Sequence, residues 1–116
     1  MSDRISLSEV GGVTVVRFVD SRVLDEALIQ EIGAELFRLV EIQEKAKILV
    51  SFQNVEYLSN ALLGKLITLD KKVKAREFSL KLASICPELY EVFTITKLDK
   101  LFDIKGSEAE ALAAFG

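Results

Sequence analysis

The chain contains no histidine and a single cysteine, and these shortages remove several chemistries at once. Without an imidazole the commonest general base and metal ligand is missing, and neither a Ser-His nor a Cys-His pair can form. One thiol, Cys86, builds neither a thiolate metal site nor an internal disulfide, which fits a reducing cytoplasm. No apolar run approaches the roughly 20 residues that a membrane-crossing helix needs. The opening MSDRISLSEV has no apolar core of the signal-peptide kind. A cytoplasmic location without membrane contact is expected. There is also no basic stripe interleaved with aromatics, and the net charge is −3, so nucleic acid is not an expected partner.

What is present is a core. Half of the 116 residues are hydrophobic and 28% are charged, the composition of one folded domain covering residues 1–116. Acids are scattered, with no pair framed by an apolar pocket pattern. Glu56 and Asp70 are the acids an enzyme relying on carboxylates alone would use, yet nothing in the sequence brings them together. Gly64-Lys65 lacks an earlier glycine at phosphate-loop spacing and a following Ser or Thr. The expectation is a protein that is not an enzyme, with no catalytic residue, no metal and no cofactor.

The elements follow from periodicity. Residues 5–9 alternate, 13–19 are rich in β-branched side chains, and Gly11-Gly12 between them is a two-residue hairpin signal. Asp25 caps a helix over about 25–43, whose stripe is Leu28, Ile32, Leu36 and Leu39, widened by Ile29 and Val40. Gly33 inside it is either tolerated at some cost or marks a close helix contact. Residues 46–52 read as a buried strand parallel to its neighbours. A second helix spans about 60–75 on Leu62, Leu66, Leu69 and Val73, with Lys65, Lys71, Lys72 and Lys74 on a solvated face. A strand over 78–84 follows. Pro87 opens a third helix with an inner stripe of Leu89, Val92, Phe93 and Thr96. Residues 97–102 read as a solvated turn, 101–104 as a last strand or tail, and Ser107 with Glu110 as the capping box of a final helix. The order β-β-α-β-α-β-α-β-α implies an α/β fold: a mixed sheet that opens with an antiparallel pair and has helices packed on it.

Ser59-Asn60 stands at the mouth of the second helix. Both residue types cap helices by accepting from otherwise unpaired N–H groups, at a value of about 1 kcal/mol. The same N–H groups tolerate an attached phosphate, which adds about −1.5 to −2 charge and blocks or repels a docked partner without unfolding the domain. Tyr57 and Leu58 precede the cap and suit either a partner contact or the core. Leu62 adds bulk near the helix start. Cys86 reads as a small apolar residue rather than a reactive thiol.

The stretch ILVSFQNVEYLSNALLGKLI, with FSLKLASICPELYEVFTITKLDKLFDI after it, resembles the STAS domain, the anti-sigma factor antagonist family, over nearly the whole chain. In the family a hydrophobic strand leads to D-S-[ST]-G-L-G and a helix. Aligned from Tyr57, the family's Asp falls on Ser59, its phosphoacceptor Ser on Asn60, the next Ser/Thr on Ala61 and its first Gly on Leu62; Leu63 and Gly64 keep their identity. The resemblance implies a binding protein that engages an anti-sigma factor of the serine kinase type, and a phosphatase where phosphate is used, through Tyr57, Leu58, Ser59, Asn60, Ala61, Leu62 and Leu63. Ser59 is the candidate phosphoacceptor, because the family position holds Asn60. The rival is a domain that has lost the switch and binds constitutively. A further alternative is a STAS module that handles a small ligand or a lipid in a pocket beside the helix entrance.

Overall fold

A computed structural model describes residues 5–115; the first four residues of the opening decapeptide lie outside it. The chain opens with β1 (Ile5–Val10) and β2 (Val13–Phe18), paired antiparallel so that Val10 faces Val13. Gly11 and Gly12 both have positive φ, 55° and 85°, the backbone that a tight two-residue hairpin demands and that glycine adopts without a Cβ penalty. Leu7 remains more than one-third exposed, because β1 is an edge strand and its alternation is only partly used.

Three further strands lie parallel to β2: β4 (Lys47–Ser51), β6 (Ser79–Ala83) and β7 (Asp103–Lys105). The sheet order is β1-β2-β4-β6-β7. β4 is central, and Ile48, Leu49 and Val50 are fully buried, as a strand covered on both faces requires. Two short strands, β3 (Arg22–Val23) and β5 (Tyr57–Leu58), form a separate parallel pair. Two residues cannot show a period-2 pattern, so neither strand was expected from the sequence.

The helices are α1 (Glu26–Glu41), α2 (Asn60–Ala75), α3 (Pro87–Ile95) and α4 (Glu108–Phe115). Asp25 caps α1 by accepting from the Ala27 and Leu28 N–H groups, and Ser107 caps the Glu110 N–H of α4 at 3.1 Å. The larger core joins Ile29, Ile32, Leu36 and Leu39 of α1 and Leu62, Leu66, Leu69 and Val73 of α2 to Val16, Ile48, Val50 and Leu82 of the sheet. Phe52 stacks on Phe18 at 5.4 Å and meets Phe93 edge-on at 6.2 Å. A smaller cluster on the other face joins Val13, Val15, Leu49 and Ala83 to Ala111 of α4.

Some expectations need correction. Residues 98–100 are a 3-10 turn rather than a purely solvated connection, and Phe102 is buried edge-on to Phe93. Thr96 is exposed and ends α3; its hydroxyl donates to the Val92 carbonyl at 2.6 Å. The lysine face is solvated as expected at Lys71 and Lys74 but half-buried at Lys65 and Lys72: Lys72 pairs with Glu41 at 2.8 Å, and Lys65 and Lys72 lie 5.9 and 5.1 Å from the Phe37 ring centroid. Gly33 marks a close helix contact, since a Cβ there would fall 2.8 Å from Cδ of Lys65 on α2.

Candidate functional site

The entrance to α2 is built by the small β3–β5 ribbon. Arg22 is the register partner of Tyr57, and Val23 of Leu58. The Ser21 carbonyl accepts from the Glu56 and Tyr57 N–H groups at 2.7 and 3.2 Å, and the Val23 carbonyl accepts from the Ser59 N–H at 3.1 Å. Ser59 then turns the chain into the helix with extended φ,ψ of −77° and 161°. Its side-chain oxygen accepts from the Leu62 N–H at 3.3 Å, and its carbonyl accepts from Leu62 and Leu63. The capping expected from the sequence is therefore made by Ser59, while Asn60 is the first helical residue.

Tyr57, Asn60 and Ala61 are exposed and Ser59 is half-buried. Leu58, Leu62 and Leu63 are buried in the larger core. These three leucines hold the entrance from beneath, so the surface open to another molecule is narrower than the seven-residue stretch read from the sequence. The ribbon adds neighbours that the sequence reading missed. The Arg22 guanidinium lies 5.5 Å from the Tyr57 ring centroid, and exposed Leu24 follows Val23 directly. The signal was present in principle, as Arg22-Val23 and Tyr57-Leu58 match in pattern, but two-residue runs carry too little periodicity to pair by eye.

Electrostatically the entrance is a helix N-terminus with no acid in its first turn. Its partial positive charge is uncompensated there, and Arg22 stands on the neighbouring strand. The surface favours a negatively charged or hydrogen-bond-accepting contact and disfavours an added cation.

The other residues singled out lie elsewhere. Glu56 is exposed before β5. Asp70 is buried on the third turn of α2 and lines a cavity of about 220 Å³ with Lys74, Ser79, Lys81, Leu101 and Asp103. Lys74 Nζ lies 2.8 Å from Asp70 Oδ2, an ion contact without hydrogen-bond alignment. Glu56 is not part of that cavity, so the two carboxylates do not assemble into a reactive pair. Cys86 precedes α3, half-buried, with its thiol 3.6 Å from the Val55 carbonyl. Among the described residues no group of three or more Cys, Asp or Glu side chains is placed to hold a metal, and no helix is long and apolar enough to cross a membrane.

Comparison with known proteins converges on one fold. An anti-sigma-factor antagonist (STAS) domain protein from Planctomyces limnophilus superposes with a TM-score of 0.84 at 24% identity, covering 97% of each chain. An anti-sigma factor antagonist from Mycobacterium paratuberculosis superposes with a TM-score of 0.83 at 20% identity, covering 95% of this chain and 91% of that one. The Bacillus cell fate determinant SpoIIAA in its phosphorylated form gives 0.75 at 17% identity, over 97% and 99% of the two chains. The family model described as STAS domain matches residues 4–111. A mixed sheet entered by a β-hairpin, a capped helix following its central strand, and a family match over nearly the whole sequence agree, and the chain belongs to the STAS domain family.

Proposed function

We propose that this chain is an anti-sigma factor antagonist-like regulator that docks a kinase-type anti-sigma factor on the entrance to α2. The single observation that carries the reading is the entrance itself: Tyr57, Asn60 and Ala61 exposed around a capped helix N-terminus with no acid in its first turn. Docking there sequesters the anti-sigma factor and frees its sigma factor, and both events belong to the cytoplasm. The rigid base supplied by Leu58, Leu62 and Leu63 keeps the surface preorganised, which lowers the ordering cost of association.

The entrance works in a permanently unmodified form. Asn60, which stands where the family carries its phosphoacceptor, has no hydroxyl to accept a phosphoryl group. Ser59 is half-buried and already committed as the N-cap to the Leu62 N–H. A phosphatase then has nothing to act on here. Titration of the purified chain against the purified anti-sigma kinase tests the docking; absence of a complex contradicts it. Intact-mass measurement after incubation with that kinase and ATP tests the constitutive form. The expected mass is unchanged, and a single added phosphate mapped to Ser59 would restore a switch.

A further inference from the structure

Glu108, the first residue of α4, lies over the last full row of the sheet. Across that row Ser6, Arg17, Ser51, Ala83 and Lys105 are successive partners. Arg17 donates from Nη2 and Nε to the two Glu108 oxygens at 2.6 and 3.1 Å. The Ser51 hydroxyl donates to Glu108 Oε2 at 2.5 Å. A two-pronged guanidinium–carboxylate pair with a third donor is among the stronger polar contacts a protein makes. Ser51 is fully buried and the Glu108 side chain is four-fifths buried, so competition from water is limited.

This cluster does not stop at α4. Ser51 Oγ also accepts from the Gln53 N–H at 3.4 Å. Gln53 begins the short path through residues 53–56 to β5 and Ser59. Its other anchors are the Phe52 N–H to the Ala83 carbonyl and the Val55 N–H to the Phe52 carbonyl, each at 2.9 Å, and the Glu56 N–H to the Ser21 carbonyl at 2.7 Å, with the Val55 side chain buried and its carbonyl met by the Cys86 thiol. Gln53 has only the Ser51 contact, and Asn54 is held at a φ of 70°. At the other end, an eight-residue helix does not persist on its own. α4 therefore stays helical only while docked, through Ala111, Leu112, Phe115 and the Glu108 contacts.

We propose that Glu108 is a positioning residue for the α2 entrance: its carboxylate, gripped by Arg17, orients the Ser51 hydroxyl and so steadies residues 53–56 beneath Ser59. Docking or displacement of α4 on one face of the sheet is then felt at the entrance. The functional weight of this link rests on the docking reading above; the link itself does not.

Native-state amide exchange on the full chain without any partner tests it. In Glu108→Gln, which keeps the shape and an acceptor but loses the charge, the Val55 and Ser59 amides exchange on the order of tenfold faster, the effect of losing about one charge-assisted hydrogen bond on an opening equilibrium. The amides of Ile48 and Val50 keep their wild-type rates. Ser51→Ala, which leaves the Arg17 pair intact, accelerates Val55 while the Ala111 amide of α4 is unaffected. Wild-type rates at Val55 and Ser59 in both variants would overturn the proposal. So would a uniform acceleration that includes Ile48 and Val50, because that is a loss of global stability and not a local link. Since no partner is present, failure of the docking reading leaves this result untouched.

Discussion

The Ser59 N–H and the Val23 carbonyl are 3.1 Å apart, and this one bond ties the mouth of α2 to the strand that leads into α1. It is the last rung of the β3–β5 ribbon, and it fixes where Ser59 can place its side chain. With the backbone held on one side, Ser59 Oγ meets the Leu62 N–H on the other. The entrance is thus defined by two contacts of a single residue.

Replacing Ser59 by Ala removes the cap and nothing from the core. The cap distance of 3.3 Å is long, which puts the loss at the lower end of the usual range, about 0.5–1 kcal/mol. Urea unfolding should show a reduced midpoint with an unchanged slope. Asn60→Ala, by contrast, leaves the cap in place and shifts the midpoint by less than Ser59→Ala.

Gly33 is held glycine-like by its neighbour. In a Lys65→Ala background the stem that crowds it, with Cδ 2.8 Å from a Cβ position, is gone. There Gly33→Ala should stabilise by about 0.5–1 kcal/mol, the ordinary gain of alanine over glycine inside a helix. In the wild type the gain is smaller, because the lysine stem must move off α1 and its position over Phe37 is disturbed. Thermal unfolding of the four proteins as a double-mutant cycle measures the difference. Equal gains in both backgrounds would remove the steric explanation.

Acid should weaken the fold through the α4 cluster. The hydrogen bond from Arg17 holds the Glu108 carboxyl below its usual value, assisted by Ser51 and the Arg17 charge against the opposing effect of burial. A depressed folded-state pKa means that the unfolded chain binds the proton more readily. The stabilisation is therefore complete above the unfolded glutamate value of about 4.5 and is lost as pH falls through the lower folded value. Lys81 similarly lowers Asp103, which titrates in the same direction. Stability measured between pH 7 and pH 3 should fall below pH 4.5, and Glu108→Gln should flatten part of that fall. An unchanged slope in the variant would assign the acid sensitivity elsewhere.

Long elements were legible because burial imposes a period on them. The spacing of Leu62, Leu66, Leu69 and Val73 predicts a helix over about 60–75, and α2 runs Asn60–Ala75. The Gly11-Gly12 hairpin, the Asp25 cap and Pro87 at the start of α3 each follow from one residue's backbone chemistry and needed no tertiary information. The ribbon of β3 and β5 was not legible, since its existence depends on which chain segments meet and not on local pattern. The same limit applied to the site. A leucine beside a cap reads equally as surface or core: Leu62 already falls on the apolar stripe of α2, but only packing places Leu58 and Leu63 inside. The Arg17–Glu108 pair joins residues 91 positions apart, a separation at which composition and periodicity are silent.

The most direct measurement is the affinity of the purified anti-sigma kinase for three forms of this chain: wild type, Ser59→Asp and Asn60→Asp, by titration calorimetry. An added carboxylate at the exposed first position of α2 is well placed for the helix and so spares the fold, while it alters the charge of the docking surface. Docking at the entrance predicts a complex with the wild type and an affinity weaker by about tenfold or more, roughly 1.4 kcal/mol, for Asn60→Asp. The same affinity for all three proteins would contradict it.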